Sequence, residues 1–152
     1  MKHFFTLLLS AFALQVSAQN APNWTSAVGL PITPAFAAQP AYATDAAGNT
    51  YLASSFSGSV TLAPGTTLTS AGFQDGVLAK YSPTGSLLWY KQLQGTYVDS
   101  FQKVIIDASG KIMLMGTASD GAQFGTVTFN TSSFGFGSMV LAQVDAQGVV
   151  QY

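Results

Sequence analysis

The stretch DAAGNTYL at residues 45–52 returns as DASGKIML at residues 107–114, 62 positions further along the chain. In both copies D-x-x-G precedes a strand-like run. Aspartate at the first position of a type I turn accepts backbone N–H bonds two residues on, and glycine at the fourth tolerates the positive φ that hairpins often need. The repeated stretch therefore predicts two β-hairpin tips.

The same turn pattern occurs four times, and short runs rich in β-branched and aromatic residues flank it. No segment of 19–152 sustains a helical period over ten residues. The apolar runs VIID and IMLM predict strands covered on both faces, and two insertions each predict a small hairpin or a long loop. The turns are 45–48, 82–85, 107–110 and 145–148; the runs are 50–56, 77–81, 87–93, 104–107, 112–115 and 139–144; the insertions are 58–72 and 121–135.

Other features recur at nearly the same distance as the two turns. Phe73 returns as Phe136, and Trp24 precedes the first D-x-x-G much as Trp89 precedes the third turn. These recurrences divide the chain into two units, at about 24–88 and 89–152. With two hairpins in each unit, the pattern predicts an all-β chain of two four-stranded antiparallel blades, an incomplete β-propeller.

Residues 45–95 also carry a family resemblance. The run DAAGNTYLASSFSGSVTLAPGTTLTSAGFQDGVLAKYSPTGSLLWYKQLQG resembles the bacterial SBBP β-propeller repeat, with D-x-x-G-N-x-Y, then a D-x-F-x-A-K-Y-like strand, then G-x-x-x-W. The second unit matches more loosely, since Lys111 replaces Asn and Met113 replaces Tyr. The resemblance implies a bacterial secreted or cell-surface protein with propeller modules and implies no common chemistry.

A second resemblance concerns YSPTGSLLWYKQ at residues 81–92. This run is similar to the turn-plus-tryptophan motif of quinoprotein-type propellers, which bind a quinone cofactor or act as assembly scaffolds. The cofactor ligands and calcium carboxylates of the quinoprotein enzymes have no counterpart that we can locate here. This resemblance supports a propeller and not a dehydrogenase.

The N-terminus has the features of a secretory signal peptide at 1–18, with a basic start, an apolar stretch and the pattern Val16-Ser17-Ala18. Residues 19–152 then contain no His, Arg, Glu or Cys, and only four lysines and six aspartates. Nucleic acids and anionic membranes require clustered basic residues. The composition therefore predicts a secreted or cell-surface protein without nucleic-acid binding or membrane insertion.

The same composition limits catalysis. Without histidine in 19–152, Ser-His activation is impossible, although a Ser-Lys pair stays open on paper. The turn aspartates have structural roles, whereas Asp75, Asp99 and Asp120 could join a calcium site but lack a ligand-concentrating spacing. We therefore assign no catalytic, cofactor-binding or metal-binding residue. The turn aspartates are Asp45, Asp107 and Asp145; the lysines are Lys80, Lys91, Lys103 and Lys111.

Aromatic residues offer an alternative, because they can form stacking platforms for sugars. The recurrence of Trp24 and Trp89 at one phase favours packing between strands or blades for these two. The residues considered are Trp24, Trp89, Tyr90, Tyr97, Phe134 and Phe136.

Two units are fewer than a closed propeller contains. We expect either a fragment of a longer protein with further blades or a homo-oligomer, and an isolated chain that associates through exposed apolar blade faces. The predicted function is a non-catalytic binding or structural module that contacts a protein or polysaccharide through 58–72 and 121–135. The alternative is a non-catalytic part of an extracellular hydrolase or quinoprotein-type enzyme whose active site lies outside this chain.

Overall fold

The computed structural model describes residues 29–30, 32, 36–131 and 137–151, and every regular element in this part is a β-strand. The predicted signal peptide, Trp24, Phe134 and Phe136 lie outside the described residues. Within the described ranges, no helix has the length and apolar character needed to cross a membrane. The strands are β1 (Ala41–Thr44), β2 (Thr50–Phe56), β3 (Ser59–Ala63), β4 (Thr66–Thr69), β5 (Asp75–Tyr81), β6 (Leu87–Gln94), β7 (Ser100–Ile106), β8 (Ile112–Ala118), β9 (Ala122–Phe124), β10 (Val127–Phe129), β11 (Ser138–Val144) and β12 (Val150–Gln151).

The strands form antiparallel sheets, which confirms the all-β prediction, and neither of the two larger sheets closes on itself. The first sheet has the order β1-β2-β5-β6-β9-β10, the second has β12-β11-β8-β7, and among the described strands β3 pairs only with β4. The four predicted turns join β1 to β2, β5 to β6, β7 to β8, and β11 to β12. Both insertions form the predicted hairpins, β3–β4 and β9–β10.

The first sheet differs from the four strands predicted, because it has six. The two extra strands are the β9–β10 hairpin, which joins the edge of β6 through Leu93 opposite Phe124 and Gln94 opposite Gln123. An edge strand offers unpaired backbone N–H and C=O groups, and β9 pairs with part of that edge. This pairing joins residues that are about 30 positions apart, which a local pattern cannot predict.

Because the strands are antiparallel, their connections alternate between two ends of the sheets. The four D-x-x-G or S-x-x-G turns lie at one end, here called the turn end. The connections 70–74, 95–99 and 119–121 lie at the other, here called the loop end. Both inserted hairpins begin and end there, but β3–β4 lies along the face of the first sheet, where the Tyr81 hydroxyl donates to the Leu62 carbonyl oxygen. Apart from the added hairpin, the two sheets share one strand order, with an inserted hairpin between their second and third strands.

Two apolar cores cover the two faces of the first sheet. One core lies between the sheets, where Phe101 of β7 meets Phe124 of β9 edge to face, with ring centroids 4.9 Å apart. The other lies between the first sheet and the β3–β4 hairpin and includes Leu52, Phe56 and Tyr81. As a result, β5 is buried along its whole length.

In the part of the chain that the structure describes, the second sheet is covered on one face only. Its outer face consists of side chains that point away from the first sheet, and Met139 and Leu141 are 77% and 69% exposed there. The prediction that VIID and IMLM are covered on both faces is therefore wrong for this chain, because no described element packs on that side: Ile105 is 53% exposed. The outer face comprises Ile105, Met113, Met115, Met139 and Leu141.

Candidate functional site

The turn aspartates hold their own turns, as predicted. The Asp45 Oδ1 atom accepts hydrogen bonds from the backbone N–H groups of Ala47 (3.0 Å) and Asn49 (2.9 Å). Asp107 and Asp145 accept the equivalent pairs of bonds. The glycines that end the four turns have φ between 80° and 85°, which side chains disfavour. The carboxylates of Asp45, Asp107 and Asp145 therefore stabilise the backbone of their own turns.

Residues of the repeat pattern converge at the turn end in one cluster, here called the clasp: Asp45, Asn49, Tyr51, Lys80 and Trp89. The Asn49 amide and the Tyr51 hydroxyl donate to Asp45 Oδ2, at 2.8 Å and 3.2 Å. The Lys80 ammonium lies 3.6 Å from the same oxygen and 5.0 Å from the centre of the Tyr51 ring. Trp89 packs edge to face on that ring, with centroids 5.9 Å apart.

The clasp binds a turn that belongs to the second sheet. The Ala146 carbonyl oxygen accepts hydrogen bonds from the Trp89 indole at 3.3 Å and from the Lys80 ammonium at 3.4 Å. Gly148 lies against the indole face, where an added Cβ would stand 3.2 Å from the ring. The clasp thus connects the two sheets at the turn end, and Trp89 packs between them as predicted.

The clasp also sets the charge state of its carboxylate. Burial acts to raise the pKa of Asp45, but hydrogen bonds from Asn49 and Tyr51 and the charge of Lys80 outweigh it. The pKa of Asp45 is consequently below its usual value, and the ion pair with Lys80 persists into mild acid. The second sheet lacks this arrangement, since Met113 and Gln143 stand where the first has Tyr51 and Lys80.

Two aspartates are fully buried at the loop end. Asp75 accepts hydrogen bonds from the backbone N–H of Ala71 (3.0 Å) and from the Gln92 amide (2.6 Å). Asp99 accepts from the backbone N–H and the hydroxyl of Ser119, at 2.6 Å and 3.0 Å. Both carboxylates therefore fix the connections around them.

Burial raises the pKa of Asp99 above its ordinary value of 3.8. The charge of Asp75 raises this pKa further, whereas the hydrogen bonds from Ser119 act to lower it. A raised folded-state pKa means that the folded protein binds the proton more tightly. The stabilisation from Asp99 is therefore complete below pH 3.8 and is lost as the pH rises through the folded-state pKa. Asp99→Asn should gain stability relative to the parent chain as the pH rises through that range.

This prediction is checked by measuring the free energy of unfolding in urea across pH. Asp107→Asn is the opposite control, because the Ser109 side chain, by its hydrogen bond, helps to lower the pKa of Asp107. Its stabilisation is present above pH 3.8 and lost on acidification. A difference between Asp99→Asn and the parent chain that stays constant with pH would contradict the assignment.

An exposed pair of aromatic rings lies on the same connections. Phe73 and Tyr97 are 72% and 42% exposed, and their rings are nearly parallel, with 16° between the planes and 6.4 Å between centroids. Tyr97 was among the aromatic candidates from the sequence, whereas Phe73 was noted only as a recurring residue. No local pattern distinguishes an exposed phenylalanine from a core one, and the pairing of Phe73 with Tyr97 therefore could not be predicted.

The three aspartates considered for a calcium site have different roles in the structure. Asp75 and Asp99 are buried and bonded to backbone and neutral side chains, while Asp120 is exposed and accepts a hydrogen bond from the Thr131 N–H at 2.9 Å. Within the described ranges, no three carboxylates come together as a metal site would require. Asp75 and Asp99 act as structural acceptors in this geometry.

The remaining sequence candidates are dispersed. The Lys80 ammonium bonds to Asp45 and to the Ala146 carbonyl oxygen and is therefore engaged in the clasp. Tyr90 is 39% exposed on β6, away from the turn that Trp89 holds.

A scan against protein-family models and a search of curated proteins found no match to this chain.

Proposed function

We propose that this chain is an exported, non-catalytic repeat module of the β-propeller type, similar to the SBBP repeat, whose units stack face to face. Its inserted β3–β4 and β9–β10 hairpins, within 58–72 and 121–135, contact a protein or polysaccharide at the cell surface. The two sheets with their inserted hairpins are the blade-like units of this proposal. Rigid strands that carry variable connections at one end are a common arrangement for recognition.

One comparison carries the proposal. Leu78 of β5 and Leu141 of β11 occupy the same place in the repeat, 63 residues apart. Leu78 is fully buried because the second sheet covers it, whereas Leu141 is 69% exposed. Tyr51 and Met113 are a second pair of this kind, buried and half-buried respectively. The outer face of the second sheet therefore corresponds to a surface that, on the first sheet, binds the next unit.

The chemistry of the described side chains agrees with a non-catalytic role. Asp45, Asp107 and Asp145 hold turns, and Asp75 and Asp99 hold the loop end. General acid–base catalysis needs a titratable group within reach of a substrate. Here these carboxylates are directed at the protein backbone or at neighbouring side chains.

The proposal predicts association through the outer face. We expect the purified chain to form assemblies larger than one chain, because a contiguous exposed apolar sheet face favours burial. The double variant Met139→Asp, Leu141→Asp should be monomeric, since burying two carboxylates at a contact without partners is strongly unfavourable. Size-exclusion chromatography with light scattering measures both masses.

Leu88→Asp is the matched control, because Leu88 is 52% exposed but lies on β6, outside the outer face. It should leave the assembly unchanged. A parent chain that is monodisperse, monomeric and cooperatively folded would overturn stacking through this face. Equal dissociation by Leu88→Asp would show that general surface charge, and not the outer face, controls association.

A further inference from the structure

We propose that the Phe73–Tyr97 pair is a binding platform for an uncharged polysaccharide, with each ring packing against the C–H face of one sugar. This inference rests on the binding role proposed above and names its ligand class and contact residues. The exposure of Phe73 is its first support, because a side chain that is 72% exposed contributes little to the core.

The platform is rigidly supported. The Gln74 N–H donates to the Tyr97 carbonyl oxygen at 3.1 Å, and the Asp99 N–H donates to the Gln74 carbonyl oxygen at 2.8 Å. A side chain at Gly72 would overlap the Gly95 carbonyl oxygen, and the two connections therefore touch through their backbones. Both rings therefore belong to connections that are hydrogen-bonded to each other. Because these connections are already fixed, binding a ligand costs little conformational entropy of the backbone.

The buried carboxylates strengthen this support without charging the surface. Asp75 caps the connection before Phe73 through the Ala71 N–H, and Asp99 follows Tyr97 in sequence and is anchored on Ser119. Both carboxylates are fully buried. The ring-bearing segments 70–74 and 95–98 contain no charged residue, which favours a neutral ligand over an anionic or a cationic one.

The chemistry around the rings suits sugars. Sugar rings have an apolar C–H face and a rim of hydroxyl groups, and they bind where an aromatic surface lies beside neutral hydrogen-bonding groups. Thr96 is exposed beside Tyr97. Gln74 is half-buried beside Phe73, and its amide nitrogen donates to the Ser55 hydroxyl at 2.7 Å, so that Thr96 is the neighbouring group that faces solvent. The two rings are stacked on each other, with 6.4 Å between their centroids, and both keep exposed surface for contact with a sugar.

The test is depletion of the purified chain from solution by four insoluble neutral polysaccharides: cellulose, chitin, β-1,3-glucan and starch granules. We expect binding to at least one of them. Phe73→Ala should weaken that binding about tenfold, the double variant Phe73→Ala, Tyr97→Ala should lose it, and Phe73→Trp should retain it. Tyr42→Ala removes another exposed aromatic ring (57% exposed) and should bind like the parent chain.

Absence of binding to all four polysaccharides would overturn the platform, as would equal binding by the parent chain and the double variant. Each variant is also measured by light scattering. If Phe73→Ala changes the mass of the assembly, the ring pair is a contact between copies and the inference fails. Loss of polysaccharide binding in the double variant, with an unchanged assembly mass, supports the platform. A monomeric parent chain contradicts the stacking proposal, and the platform is then still decided by the binding of the parent chain and the variants.

Discussion

Phe101→Ala is expected to lower the free energy of unfolding by about 3 to 5 kcal/mol, the range for truncating a buried aromatic residue. Phe101 is 1% exposed and fills the core between the two sheets. Its ring meets that of Phe124 edge to face, and the truncation therefore removes both buried apolar area and an aromatic contact. Urea unfolding followed by circular dichroism measures the change.

Phe73→Ala is the matched control, since it removes the same side chain from an exposed position. It should change the free energy of unfolding by no more than about 0.5 kcal/mol. The double variant Phe101→Ala, Phe124→Ala should be less destabilised than the sum of the two single variants, because their rings share one contact. Full additivity would mean that the rings do not interact in solution.

Trp89→Ala is expected to destabilise the chain by about 2 to 3 kcal/mol, less than a fully buried tryptophan because Trp89 is half-buried. The variant loses the contact of Trp89 with Tyr51, its packing on Gly148 and its hydrogen bond to the Ala146 carbonyl oxygen. It therefore removes a central contact that joins the first sheet to the 145–148 turn. Hydrogen exchange of that turn should accelerate more than exchange in β5.

Trp89→Phe separates the two parts of this effect. Trp89→Phe keeps an aromatic ring for the contact with Tyr51 but loses the indole N–H and part of the bicyclic ring that packs on Gly148, so that a reduction of about 1 to 2 kcal/mol is expected. Leu88→Ala, at the exposed neighbouring position, should have little effect. Equal losses in Trp89→Phe and Trp89→Ala would show that the contact with Tyr51, which a phenyl ring can keep, contributes nothing to holding the turn.

The features that could be predicted from the sequence are those that neighbouring residues determine. Asp45 and Gly48 form a turn whose hydrogen bonds lie within four residues, and its pattern is readable without any knowledge of the fold. The strands followed from runs of β-branched and aromatic residues between such turns. The β6–β9 pairing was not predicted, because it depends on which free edge lies nearest in space.

The candidate site was less predictable for the same reason. Asp75 and Asp99 are buried by segments that are distant in sequence. The sequence left a calcium site open for them, although no spacing of the aspartates concentrates ligands. Phe73 and Phe101 are each followed by a glutamine in the sequence, yet Phe73 is 72% exposed and Phe101 is 1% exposed. Exposure is a property of the packed sheets, and the short sequence around each phenylalanine does not contain it.

The pairing of β6 with β9 also has a consequence for the order of folding. Among the described residues, the edge of the first sheet at Leu93 pairs with Phe124 of β9, a strand that is synthesised after every other strand of that sheet except β10. Until then the edge of β6 presents unpaired backbone groups to other chains. Refolding should therefore be slowed selectively by changes in β9, and chains truncated before residue 122 should aggregate more readily than the 152-residue chain.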